Sequence, residues 1–150
     1  MKNSILIVLF ALSIFLNGCE SNMVERSIGF VAGETQDTKW HLGTQQAIDV
    51  VDIVDELWTN QDYESMRQYF ADSVEVWRPN GVYTNTFDSF IESISSGDNA
   101  TWSYNYAFSV DLDPSIGGEH VQAGFQVTYP ASDNKEEYTD IQHESYYVVD

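Results

Sequence analysis

Few side chains in this sequence are placed to do chemistry. His41, His120 and His143 are the only histidines, and their spacing matches no metal-ligand pattern. Cys19 is the only cysteine, so no intrachain disulfide can form. Asp111 and Asp113 sit one residue apart before a Gly117-Gly118 turn, but the twelve-residue calcium pattern and its closing glutamate are absent. No glycine-rich phosphate loop or nucleophile elbow occurs. No metal and no cofactor are therefore expected. Alternation along the last strand puts Ile141, His143, Ser145 and Tyr147 on one face, taken as inner, with Asp140, Gln142 and Glu144 outward. His143 is then the candidate acid–base or hydrogen-bonding group. The competing reading is a structural histidine bonded to a core tyrosine or to Arg78. An inward Arg78 would hold an anionic ligand, and an outward one would pair with one of the many acids. Trp102, Tyr104, Tyr106 and Phe108 read first as core and second as a ligand platform, with hydroxyls that suit a mixed pocket.

The elements that position these residues follow from periodicity. Thr44 caps a helix through about Thr59, with Ala47, Val50, Val51, Val54, Leu57 and Trp58 at helical spacing and Asp49, Asp52, Asp55 and Glu56 facing water. Asp62 caps a short helix through Phe70, whose apolar side is Tyr63, Met66, Tyr69 and Phe70. Ser73–Trp77 alternates as a strand and stops at Pro79 and the Asn80-Gly81 turn. Residues 86–96 form a third helix, capped by Thr86. From Thr101 to Leu112 the period is two, the strongest strand signal in the chain. Val121, Ala123, Phe125, Val127 and Tyr129 continue the apolar face on a second long strand, and Glu136–Val149 forms a third. One apolar and one polar face imply an antiparallel sheet covered on one side by the helices.

Composition bounds the function. The 150 residues carry 24 Asp and Glu against 6 Lys and Arg, a net charge of −18. That excludes phosphate-neutralising nucleic-acid binding and attachment through anionic headgroups. Hydrophobic residues at 43% and aromatics at 14% supply a real core, so the main body is folded. Lys2 followed by the apolar run Ile5–Leu16 matches a secretory signal and is too short to span a bilayer. The run ends in Leu16-Asn17-Gly18-Cys19, which resembles the lipobox of bacterial lipoproteins, with Asn17 larger than usual. The resemblance implies a diacylglycerol on Cys19, cleavage before it and acylation of the new amino terminus. Residues 1–18 are then a signal peptide, 19–43 the lipidated cysteine and a tether, and 44–150 one domain. Trp40 and His41 close the tether and are placed to pack on the domain. Two or more acyl chains give stable anchoring.

The segment from Tyr69 to Gly81, reading Tyr-Phe-Ala-Asp-Ser-Val-Glu-Val-Trp-Arg-Pro-Asn-Gly, follows a helix containing Trp58. It resembles the Phe-Ala-Asp, strand, Pro-x-Gly segment of the nuclear-transport-factor-2-like superfamily, which includes SnoaL-like and ketosteroid-isomerase-like proteins. The ending from His143 to Asp150 is similar to the strand that precedes Asp-Gly-Lys-Ile there. The resemblance implies an α+β, cystatin-like fold: a cone of helices on a curved antiparallel sheet. A further strand would follow, so the sequence is expected to be truncated at Asp150. In the isomerase branch an aspartate precedes the proline, a tyrosine sits on the first helix and an acid on the late strand. The matching positions here are Arg78, Val54 and Ser145, so isomerase chemistry is not implied.

The expected protein is an exported lipoprotein of the bacterial envelope whose domain binds a small, partly hydrophobic molecule without catalysis. Val54, Arg78, Trp102, Tyr104, Tyr106, Phe108, Phe125, His143 and Ser145 would line the pocket. The alternatives are a small acid–base enzyme of hydrolase, cyclase or isomerase type around His143 and Arg78, or an interaction module that forms a homodimer through its open sheet face.

Overall fold

The structure, a computed structural model, describes residues 28–29, 39–78, 80–95 and 99–149. The expected signal peptide and Cys19 lie outside the described residues. Among the described residues the chain is α+β, with three helices and a mostly antiparallel arrangement of strands. None of these helices is long and apolar enough to cross a membrane.

Each helix starts where a side chain can satisfy its free backbone N–H groups. Helix α1 (Gln45–Thr59) begins at Thr44, whose Oγ1 accepts from Ala47 N at 3.3 Å. Helix α2 (Tyr63–Met66) begins at Asp62, which accepts from Ser65 N at 3.1 Å, and continues as a tight turn over Arg67–Tyr69. Helix α3 (Phe87–Ser95) begins with a reciprocal box, Thr86 Oγ1 accepting from Ser89 N at 3.2 Å and Ser89 Oγ accepting from Thr86 N at 3.3 Å. Val54, Met66, Phe87 and Phe90 join the three helices in one buried cluster. Tyr69, expected on the apolar side, is instead exposed.

The main sheet has the order β1 (His41–Leu42), β4 (Thr101–Asp111), β5 (Glu119–Tyr129), β6 (Tyr138–Val148). Strands β2 (Val76–Trp77) and β3 (Tyr83–Thr84) form a separate hairpin around Asn80-Gly81, closed by Arg78 N to Val82 O at 2.9 Å. The last residues of the expected tether thus belong to the sheet: β1 pairs with the Val110–Asp111 end of β4, and Trp40 stands edge-on to His120 at 5.3 Å. A carboxylate clamps that corner. Glu119 Oε2 accepts from Thr44 N and from Ser109 Oγ, each at 2.6 Å, and Oε1 accepts from Thr44 Oγ1 at 2.8 Å. Gly43 makes the clamp possible, because a Cβ there would lie 2.1 Å from Ser109 Oγ and 2.3 Å from Glu119 Oε2.

The expected unbroken alternation of β4 is corrected by the register. Tyr104 pairs with Phe125 and Tyr106 with Gly124, so Asn105 is an extra residue, a β-bulge. Because the side-chain period is two, one extra residue reverses every later side chain. Trp102 and Tyr104 face the helices, as do Ala107, Ser109 and Asp111, while Tyr106, Phe108 and Val110 point away. Strand β5 keeps its expected phase, with Val121, Ala123, Phe125 and Val127 buried, Val121 against Ala47 and Val51 of α1 and the other three among Trp102, Tyr104 and Tyr146 of the neighbouring strands. Strand β6 has the opposite phase to that expected. Its Glu144 pairs with Ala123, Gln142 with Phe125 and Tyr146 with Val121. Partners across an antiparallel pair share a face, so these three look inward, and Ile141, His143, Ser145 and Tyr147 look outward.

Candidate functional site

On the inner face two carboxylates, Asp55 and Glu144, sit among aromatic side chains where a core would ordinarily be apolar. Asp55, expected to face water, occupies the buried stripe of α1 with Val51, Val54 and Trp58, at helical spacing. Its Oδ1 accepts from Trp102 Nε1 at 2.8 Å, and Trp58 stands edge-on to Trp102 at 6.2 Å. Burial raises the Asp55 pKa, the Trp102 hydrogen bond offsets part of this, and the nearby Asp52 charge raises it further. Glu144 enters from β6 and accepts a hydrogen bond from the Tyr146 hydroxyl. Its pKa is also raised, first by burial and then by Asp55, against opposing contributions from Tyr146 and the Arg78 charge. Both effects are those of desolvated carboxylates near like charge.

Two phenols complete the cluster. Tyr146 is held well above the usual tyrosine range by burial and by Glu144. Tyr104 stacks on Phe125 at 4.8 Å, and its hydroxyl is buried with no hydrogen bond of normal geometry among the described residues. Burial, then the Asp52 carboxylate, then Asp55 and Glu144 raise its pKa too. Tyr104 and Asp52 line an open depression of about 260 Å³ between α1 and the β4 bulge, with Gln45, Ile48 and Ala107. The bulged residue Asn105 lies on the rim of this depression, where an extra residue bends the strand.

The positive charge available to these acids is small. The Arg78 guanidinium is felt by Glu144 but donates to the Ser93 carbonyl at 3.0 Å. Arg67 pairs with Asp88 over the Phe87 ring, and Lys39 donates to the Gly29 carbonyl. No group of three or more His, Cys, Asp or Glu among the described residues is arranged to hold a metal ion.

The sequence-predicted site residues divide between the two sides of the sheet. Val54, Trp102, Tyr104 and Phe125 lie on the inner side, where Trp102, Tyr104 and Phe125 pack in one cluster. Tyr106, Phe108, His143 and Ser145 do not join them, because the bulge and the phase of β6 put them on the outer face. There Tyr106 Oη lies 2.7 Å from His143 Nδ1. The Tyr106 ring crosses Gly124 to reach it, and a Cβ on Gly124 would lie 2.2 Å from Tyr106 Cε1. His143 is thus bonded to a tyrosine, as the structural reading had it, but on the surface. Sequence reasoning missed Asp55, Glu144 and Tyr146. Asp55 had a readable signal, since it falls four residues after Val51 and three before Trp58 on the apolar stripe.

Chemically, a carboxyl group kept protonated by burial can donate a hydrogen bond, and an ionised one can receive a cation or a donor. The set is therefore suited to a small ligand with polar, donor-bearing and aromatic or apolar parts. Comparison of the chain with protein-family models and with curated protein sequences gives no match.

Proposed function

We propose that this chain is an exported lipoprotein, anchored by acyl chains on Cys19, whose domain binds a small, partly hydrophobic molecule at the inner acidic and aromatic face. The fold is of the SnoaL-like, nuclear-transport-factor-2-like kind. This assignment is supported by the resemblance of the segment from Tyr69 to Gly81 and by an α+β arrangement with three helices on an antiparallel sheet. The observation that carries the binding reading is the buried Tyr104 hydroxyl, which has the Asp52 carboxylate as its nearby acceptor but makes no hydrogen bond of normal geometry among the described residues, at an open depression. A buried polar group without a partner costs about 1–3 kcal/mol, and a ligand that bonds to it recovers that cost. Binding without turnover is favoured because His143 lies across the sheet from Asp55 and Glu144, so no imidazole–carboxylate pair forms there.

A second reading rests on Glu144. A buried glutamate with a raised pKa is equipped as a general acid or base, and the domain would then be a small acid–base enzyme.

Native mass spectrometry of the secreted chain, followed by thermal-shift screening against small amines and polar aromatics, tests the binding reading. A retained ligand, or a stabiliser whose effect is lost on Tyr104→Phe, supports it. An empty protein with no shift across the library refutes it. Chemical conversion of the retained ligand, abolished by Glu144→Gln, establishes the enzyme instead. For the anchor, Cys19→Ser is expected to release the protein from membranes, and a membrane-bound variant with its signal uncut refutes lipidation.

A further inference from the structure

The amino-terminal segment and the outer face of the sheet form one continuous surface. From Thr101 to Val110 on β4, His120 to Thr128 on β5 and Thr139 to Tyr147 on β6, no outward position is Asp, Glu, Lys or Arg, although the chain as a whole stands at −18. The face presents the rings of Tyr106 and Phe108, nearly parallel at 6.3 Å, with Ile141 and Tyr147. Leu42 pairs with Val110, so it shares the outward side, and it is 84% exposed. Trp40 stands edge-on to His120, which in turn packs on Tyr147 at 4.8 Å. Ile28 is joined to Trp40 by two backbone hydrogen bonds of 3.0 Å and is itself 76% exposed. The segment that leads back to Cys19 thus leaves the domain from this face, and it adds apolar side chains to the face instead of covering it.

We infer that this face docks on the bilayer, sheet towards the lipid headgroups, with the helices and the acidic inner face turned away from the membrane. The inference rests on the proposed acyl anchor at Cys19. Reach selects lipid as the occupant. Cys19 precedes Ile28 by nine residues, which span at most about 32 Å at full extension. With Cys19 at the bilayer surface, Ile28 and the sheet corner joined to it stay within that distance of lipid. So short a tether gives the face a high effective concentration of membrane. Three strands of 11 residues, at about 3.4 Å per residue and about 4.8 Å between strands, make a face of roughly 500 Å². A contact of that size is marginal on its own, and it acts as the second of the two signals that stable attachment takes. Charge selects the side. The acid-rich remainder of the surface is repelled by anionic headgroups, whereas Asp111, Glu119, Asp140 and Glu144 on these strands all point inward. Tyrosine and tryptophan, apolar rings with a polar edge, suit the headgroup level. A second copy would bring another body of −18 against the first, a repulsion that neutral lipid does not impose.

The experiment places the full lipidated chain on phosphatidylcholine vesicles, with and without a nitroxide-bearing lipid. Cys19 is the only cysteine and acylation blocks it. Phe108→Cys on the outer face and Asp49→Cys on the exposed side of α1 therefore each offer one thiol for a bimane label. The label on Phe108→Cys is expected to lose at least about half its emission to the lipid nitroxide, as a group seated about 5–10 Å into the interface does. The label on Asp49→Cys is expected to keep its emission. Phe108 and Ile141 are 49% and 54% exposed, so neither substitution disturbs the fold. Adding Ile141→Glu is expected to abolish the quenching at Phe108→Cys, with an unchanged circular dichroism spectrum, while the chain still floats with the vesicles. Equal quenching at both positions, or none at Phe108→Cys in a chain that floats, overturns the inference and leaves the anchor standing. A Phe108→Cys label shielded from both lipid nitroxide and aqueous iodide puts a second copy on the face and overturns it as well. A chain that does not float refutes the anchor, and the inference falls with it.

Discussion

Replacing Glu119 should loosen the corner where the amino-terminal segment meets the sheet. The carboxylate takes three hydrogen bonds, two from Thr44 and one from Ser109. A bond to a charged acceptor is worth about 1.5–3 kcal/mol when buried, and the two from Thr44 are exposed. The three together therefore come to about 2–3 kcal/mol for Glu119→Ala. Glu119→Gln keeps the shape: its amide oxygen can accept from Thr44 N and Ser109 Oγ while its nitrogen donates to Thr44 Oγ1. It loses only the charge assistance, about 1 kcal/mol. At about 4 °C per kcal/mol for a domain of this size, Tm falls by about 8–12 °C for alanine and about 4 °C for glutamine. Acid should erase the difference. Burial alone would raise the Glu119 pKa, but the bonds from Ser109 and Thr44 outweigh it and hold the group below the usual glutamate value. The unfolded chain therefore takes up the proton first as pH falls. The stabilisation is complete above the ordinary glutamate range and is lost as pH drops through the folded value. Thermal melts of wild type and both variants between pH 3 and pH 7 measure this directly. An alanine variant within about 2 °C of wild type at neutral pH refutes the reasoning, as does a gap that widens on acidification.

Glu144 should behave in the opposite sense. Its folded pKa is raised, so the wild type loses stability as pH rises from the unfolded value towards the folded one. Glu144→Gln is expected to melt a few degrees higher than wild type at pH 7 and level with it at pH 4, and no gain at pH 7 would refute the burial argument. Trp102→Phe removes the donor to Asp55 and should cost about 1–2 kcal/mol in urea unfolding. A double-mutant cycle with Asp55→Asn should return a coupling near 1 kcal/mol, and additive effects would show that the bond contributes nothing. Gly124→Ala drives a Cβ into the Tyr106 ring and should cost about 1–2 kcal/mol. The loss should be relieved in a Tyr106→Ala background, and the His143 ring resonances should move with it.

Helix starts were legible because Thr44, Asp62 and Thr86 are capping residues ahead of apolar stripes of the right period, and all three act as caps. The three long strands were legible by length and alternation. Strands β1 and β3 were not, since two residues carry no period. The phase of β6 was undetermined for a physical reason. Tyr146 and Val148 on one face balance Ile141, Tyr147 and Val149 on the other, and only pairing with β5 decides between them. That single ambiguity exchanged Glu144 for His143 in the candidate site. Asp55 was misplaced by its charge, although its position on the helix was informative. The bulge at Asn105 left no trace, because the sequence alternates smoothly through it.

That bulge makes the identity of the two faces a matter of parity. Downstream of Asn105, which side chains meet the helices and which meet solvent depends on whether the residue count is odd or even, with their chemistry unchanged. Deleting one codon at this point would turn Tyr106, Phe108 and Val110 towards α1 and expose Ala107, Ser109 and Asp111, transferring a stripe of rings from one surface to the other in a single step. No single substitution in β4 could do as much. Relatives of this chain that differ by one residue in length here would be expected to differ in which surface carries the exposed rings, even where the rest of the strand is identical.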